Sequence, residues 1–290
     1  MIRTMLLAGT AAALLFTASE APAQTRLRLL DAGAEPRQLL RYRFSPDHRE
    51  RVRVEVRMQM ALSFAGQSMP PASLPGMRMN MELQSTEVAA DGSARISFVL
   101  SSAEVFGDGP QIGQLNQRLS AVSGISGWYR MDTLGNVLET HVERGAAADP
   151  LNAAVLRDLE QSLKRINLLL PEQPVGIGAR WQVTQELENN GVKMSQTGEF
   201  RLRSRSGDRL ELDVQLVDGR ISDVSTLPPG AKIESVTVKG DGTSSLRLDG
   251  LTPTASIDAD IDLGLSITAE GQTMPMGMSM KATHTVMAED

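Results

Sequence analysis

Cysteine is absent from the 290 residues, which excludes disulfide staples, thiolate nucleophiles and cysteine-ligated zinc together. Aromatic side chains make up only 3% of the chain and histidine occurs three times, so few of the usual catalytic and recognition groups are present. Positive charge is also short. Lys and Arg total 29 against 35 for Asp and Glu, a formal net charge of -6, and no chain-wide basic field exists to attract nucleic acid.

Long hydrophobic runs are missing as well. The run from Met5 to Phe16 is about 12 residues, where a bilayer-crossing helix needs roughly 20. With Arg3 before it and Ala21-Pro22-Ala23 after it, the segment reads as a secretory signal cleaved before Gln24. No cysteine stands at that point to carry lipid. The expectation is a signal over 1–23 and an exported product, periplasmic or secreted, without an integral membrane span.

Methionine, with 15 residues, is the counterpart of the scarce aromatics. From Arg51 to Phe64 the residues Val52, Val54, Val56, Met58, Met60, Leu62 and Phe64 share one parity, while Arg51, Arg53, Glu55, Arg57 and Gln59 share the other. A period of two places the sets on opposite faces of a long half-buried strand. After a Gly/Pro-rich break from Gly66 to Gly76, Met77, Met79, Met81 and Leu83 resume the apolar parity. Ala90-Asp91-Gly92 then turns into Ile96, Phe98 and Leu100, so the region reads as an antiparallel meander. Trp128 to Val142 has the pattern of a hairpin around Leu134-Gly135-Asn136. Strand signals return at Trp181 and Val183, at Phe200 and Leu202, and at Leu210 to Leu216. A last unit alternates Ile257, Ala259, Ile261, Leu263, Leu265 and Ile267 with Asp258, Asp260 and Asp262, and its return strand carries Met276, Met278 and Met280.

Two helices interrupt this pattern. Pro110, Ile112, Leu115, Leu119 and Val122 have helical spacing over 110–122. The spacing predicts a second helix over 150–168, with Asp149 as cap, Pro150 at the first position and Leu151, Val155, Leu159, Leu163 and Ile166 on one face. Long strands with one apolar face need a covering layer. The expected fold class is therefore mainly β with two helices: a large curved antiparallel sheet or open half-barrel whose concave side the helices cover. Gly66-Gln67-Ser68-Met69-Pro70 and Gly271-Gln272-Thr273-Met274-Pro275 occupy corresponding hairpins and point to an internal duplication. The expected domain is a single one over 24–290, with similar halves 24–170 and 179–290 joined by a Pro/Gly linker. Two domains divided near residue 172 are the alternative.

The linker carries a resemblance. Leu170-Pro171-Glu172-Gln173-Pro174-Val175-Gly176-Ile177-Gly178-Ala179-Arg180-Trp181 resembles an L-P-x-x-P-V-x-x-G-x-x-W segment of an uncharacterised family of exported bacterial β-rich proteins. Tyr42-Arg43-Phe44 is similar to an early Tyr-x-Phe strand of that family. The resemblance implies fold and export and brings no functional residue with it. A looser likeness, of architecture alone, is to the half-barrel carriers of lipoproteins and lipids in the periplasm.

Recognised enzyme motifs are wanting. Ser123-Gly124-Ile125-Ser126-Gly127 lacks the order of a nucleophile elbow, and neither H-E-x-x-H nor a P-loop occurs. His48 and His141 sit in no catalytic motif. Asp258, Asp260 and Asp262, like Arg201, Arg203 and Arg205, read as a solvated sheet face, although Ca²⁺ or an anion is the functional alternative. The expected ligand-binding residues are Met58, Met60, Met77, Met79, Met81, Met276, Met278 and Met280, because flexible thioether chains form an adaptable apolar surface. The function expected is a non-enzymatic exported protein, without cofactor, that binds an apolar or amphipathic ligand such as lipid or an envelope protein segment. One alternative is an envelope structural or interaction module whose Met residues are packed core. Another is periplasmic copper binding through Met69, Met274 and His284, since thioethers select Cu(I).

Overall fold

Alternation dictates strands, and strands dominate. The computed structural model describes residues 25–64, 67–109, 112–143, 163, 167–189, 192–224, 231–269 and 272–289. Its strands are β1 (Arg26–Asp31), β2 (Arg49–Phe64), β3 (Gln67–Ser68), β4 (Ala72–Val88), β5 (Ala94–Phe106), β6 (Ser126–Met131) and β7 (Val137–Val142). They continue with β8 (Arg180–Asn189), β9 (Val192–Ser206), β10 (Arg209–Val224), β11 (Ala231–Arg247), β12 (Thr254–Ala269) and β13 (Gln272–Glu289). All belong to one antiparallel sheet in the order β1-β8-β9-β10-β11-β12-β13-β2-β4-β5-β6-β7, with β3 paired to β2. The order does not close: β1 and β7 are its two ends. The mainly β class with one large open antiparallel sheet is therefore as expected.

The two halves of the chain interleave in that sheet, since β2 pairs with β13 and β1 pairs with β8. The repeated Gly-Gln-Ser/Thr-Met-Pro segments begin the same pairing pattern. Gln67 and Ser68 lie opposite Phe64 and Ser63, and Gln272 and Thr273 lie opposite Ala269 and Thr268.

Two local readings change, the length of the first break and the state of Tyr42-Arg43-Phe44. The break expected over Gly66–Gly76 is shorter, because β4 already begins at Ala72; Pro75 and Gly76 fall where β4 has one residue more than β2 between the pairs Val56–Met77 and Met58–Leu74. A bulge tolerates proline because the ladder is interrupted there. Strand β11, a stretch the sequence pattern left unassigned, includes Gly240-Asp241-Gly242. A side chain at Gly242 would collide with the Ser256 carbonyl, and one at Gly240 would meet Leu216 Cδ1 at 2.9 Å, so close neighbours rather than a turn require these glycines. Tyr42-Arg43-Phe44 is not a strand. The first helix is α1 (Ile112–Leu119) followed by a 3-10 turn at Ser120–Val122.

Helix α1 packs on β5, and it borders the sheet at that strand's edge instead of covering the methionine strands. Asn116 of α1 accepts a bond from the Val105 N–H at 2.6 Å and donates to the Val105 carbonyl at 2.9 Å, replacing the strand partner that β6 supplies only as far as Val99. The second expected helix lies outside the described residues except for its carboxyl end, where Leu163 is buried in the core and Asn167 and Leu168 are not helical.

The main core fills one end of the sheet. The chain before β2 crosses this base. Gln38 pairs with Val175, the Tyr42 N–H donates to the Thr133 carbonyl at 2.8 Å, the Arg43 N–H to Leu248 at 2.6 Å and the Asp47 N–H to Ser85 at 2.8 Å. One segment thus ties together the linker, the β6–β7 turn, the β11–β12 turn and β4. The proline-rich linker enters the same core: the Trp181 Nε1 donates to the Leu169 carbonyl and the Tyr42 hydroxyl to that of Leu168, each at 3.0 Å. Trp181 and Tyr42 are fully buried, and burial pushes the Tyr42 phenol pKa far above its usual value. Trp181→Ala should cost about 3–5 kcal/mol in equilibrium denaturation, and Tyr42→Phe only about 1 kcal/mol, since the latter loses one hydrogen bond and little volume. A Trp181→Ala loss no larger than that of Tyr42→Phe would contradict the assignment of the anchor.

Candidate functional site

Beyond the core, the apolar parity continues toward the far end of the sheet, where register assembles it into rows. Met280 of β13 lies opposite Met60 of β2 and opposite Ile261 of β12, which in turn faces Val238 of β11. The next row is Met58, Ala282, Ala259 and Gly240. The row after it is Met77, Val56, His284, Ile257 and Gly242. Toward the strand tips, Leu62, Met278 and Leu263 stand side by side, followed by Phe64, Met276 and Leu265. Side chains directly opposite each other in such a ladder have Cβ atoms about 4.5–5.5 Å apart, so these residues form one continuous surface.

The strands thus bring the expected methionines onto one face. Met58, Met60, Met77, Met79, Met276, Met278 and Met280 are half-buried there. Met81 differs: it is 4% exposed and belongs to the base core beside Leu83 and Leu100. Several neighbours not singled out beforehand share the face, notably Ile261, Leu263, Val238 and the small Ala282 and Ala259. Their signal was present in the parity of β12. Strand β11 was hidden by its glycines.

The residues considered for copper are kept apart. Met69 follows β3, is 57% exposed, and donates its N–H to the Leu62 carbonyl. Met274 and His284 are ten residues apart on β13, about 33 Å at strand rise, too far to hold one ion. His284 stands on the apolar face between Val56 and Ile257. It keeps contact with solvent, yet the partial desolvation by its surroundings holds the imidazole pKa below its usual value.

The opposite face is polar and internally matched. Thr283 donates to Asp258 at 2.6 Å, Ser279 donates to Asp262 at 2.5 Å, and Lys281 Nζ lies 3.6 Å from Asp260. Arg203 pairs with Asp213 at 3.2 Å. Bonds from Arg57 and Arg78 lower the Glu55 pKa, and both guanidinium groups lie over the Phe106 ring, at 5.1 and 4.9 Å. Among the described residues, no group of three or more His, Asp or Glu is placed to hold a metal ion, and no helix is long and apolar enough to cross a membrane.

Neither of the other histidines joins the apolar face. His48 Nε2 lies 3.3 Å from the buried Glu50 carboxylate, whose Oε1 also accepts the Leu251 N–H at 2.8 Å; this links β2 to the β11–β12 turn. His141 stacks on Trp128 at 5.8 Å, with Arg95 over the same ring at 4.0 Å. Two hollows are present among the described residues. One, of about 220 Å³, is near the strand tips, where Ser63, Gly264 and Gly277 line it together with Leu62, Leu263 and Met278 of the apolar rows; the other, of about 330 Å³, lies between Leu27, Leu134 and Leu169 at the base. No protein-family model matches the chain, and the curated proteins hold no significant match to it.

The His284 environment has a measurable consequence. Its folded-state pKa lies below the unfolded value, so its contribution to stability is present above about pH 6.5 and is lost as pH falls through the folded pKa. An NMR titration should place the His284 midpoint below the ordinary histidine value, and His284→Leu should flatten the corresponding part of the stability profile. A midpoint at or above the ordinary value would contradict its partial desolvation.

Proposed function

We propose that the protein binds the hydrocarbon chain of a lipid-like amphiphile on the face formed by β11, β12, β13, β2, β4 and β5. The observation that carries this reading is the absence of charge over the described rows from Val56–His284–Ile257 to Phe64–Met276–Leu265, set against a back face rich in ion pairs. Across β11, β12, β13 and β2, three strand spacings of about 4.8 Å and four intervals of about 6.6 Å between apolar positions give a surface of roughly 14 by 26 Å. A contiguous apolar face of that size is comparable with the largest patch of an ordinary soluble protein, which is often functional.

The sheet's own bonding favours the ligand class. Backbone N–H and C=O groups of the central strands are engaged in the ladder, so an extended peptide laid on the face would bury its own polar groups without partners. An alkyl chain has none to satisfy. Thioether and aliphatic side chains can repack around chains of differing shape, and the Met58–Ala282–Ala259–Gly240 row leaves room between bulkier rows. In this reading the protein works outside the cytoplasm, in the periplasm or beyond, as the amino-terminal segment over 1–23 implies.

The test uses a fluorescent fatty acid titrated into the purified full chain. Binding is expected, and Met280→Asp should weaken it by about tenfold or more because it puts a carboxylate at the centre of the contact. Asp260→Asn on the opposite face should leave it unchanged. Absence of binding, or equal binding by Met280→Asp, would overturn the proposal.

A further inference from the structure

We propose that Met58, Met60 and Met280 form a binding site for a soft monovalent metal ion, Cu(I), on the same face. The register makes this cluster. Met60 and Met280 are direct cross-strand partners, and Met58 is the next residue of the same face of β2, opposite Ala282. Their Cβ atoms mark a triangle with sides of about 5, 6.6 and 7–8 Å. Each side is short enough for two methionine side chains to meet over it. The methyl groups of Ala282 and of its partner Ala259 leave space into which Met58 can turn.

The donor chemistry selects the ion. Three neutral, polarizable thioethers suit Cu(I) and offer little to Ca²⁺, Mg²⁺ or Zn²⁺, which require oxygen, imidazole or thiolate donors. No carboxylate shares these rows of the face, whereas Asp258, Asp260 and Asp262 project on the other side with their own partners. His284 is excluded from the site by spacing. It lies four residues from Met280 on β13, about 13 Å along the strand, beyond the combined reach of the two side chains toward one ion. Half-burial of the three methionines admits an ion from solvent while limiting water competition for the sulfurs.

This site does not rest on lipid binding, and titrating the parent with each ligand in turn separates the two readings. The full chain is titrated with Cu(I) under anaerobic conditions against bicinchoninate, with Ag(I) and native mass spectrometry to count ions. One ion per chain is expected. The Met58→Leu/Met60→Leu/Met280→Leu variant conserves apolar volume, so its circular dichroism should match the parent's while its Cu(I) affinity falls by about tenfold or more once the soft donors are gone. His284→Ala should bind Cu(I) as the parent does. Failure of the parent to compete with the chelator, unchanged affinity in the triple variant, or an equal loss in His284→Ala would each overturn the site. A parent that binds Cu(I) but no fatty acid would sustain it and refute only the amphiphile reading.

Discussion

The pairing of β13 with β2 is the contact on which the rest of the molecule depends. It runs without a shift from Met276–Phe64 to Glu289–Arg51 and joins strands from opposite ends of the chain into one sheet. It also decides chemistry. A slip of one residue would exchange the parities and bring Lys281 and Ser279 onto the apolar side, where Met280 and Met278 now stand. The polar side resists that slip through the Thr283–Asp258 and Ser279–Asp262 bonds, which lock β13 to β12 in the same alignment.

The two ends of this sheet are stabilised differently. At the base, Trp181, Tyr42, Tyr129 and Phe98 are fully buried, and the crossing segment from Gln38 to Asp47 ties four distant parts of the chain by backbone bonds. Complete burial of large apolar side chains contributes about 1.5–3 kcal/mol each, so folding stability concentrates there. Toward the tips the same strands carry half-exposed methionines, whose contribution is smaller. The face can therefore present an adaptable surface while the base holds its backbone fixed. The proposed ligand on the face and the proposed ion between three of its sulfurs would both draw on this division.

Much of this was legible in the sequence where the chain behaves locally. The alternation of Val52 to Phe64 and of Ile257 to Leu265 reports strands half-buried on one side, and each is found as such. Strand β11 was obscured because Gly240 and Gly242 carry turn chemistry, and only packing against Leu216 and Ser256 explains them. Tyr42-Arg43-Phe44 has strand letters but crosses the base as a tie, a role that depends on distant turns. The methionines were identifiable as a stripe, whereas their grouping was not. That Met60 meets Met280 and that Met81 sinks into the core follow from strand order, which local spacing does not encode, whereas the distance between Met274 and His284 on one strand was legible from their ten-residue spacing.

We infer that one uncharged, methionine-bearing face is the functional surface. Methyl NMR of the chain labelled with ¹³C-methyl methionine, during titration with a long-chain fatty acid, tests this most directly. The signals of Met58, Met60, Met77, Met79, Met276, Met278 and Met280 should move together with ligand concentration, while that of buried Met81 stays in place. Shifts scattered over both faces, or no shift in the seven, would contradict it.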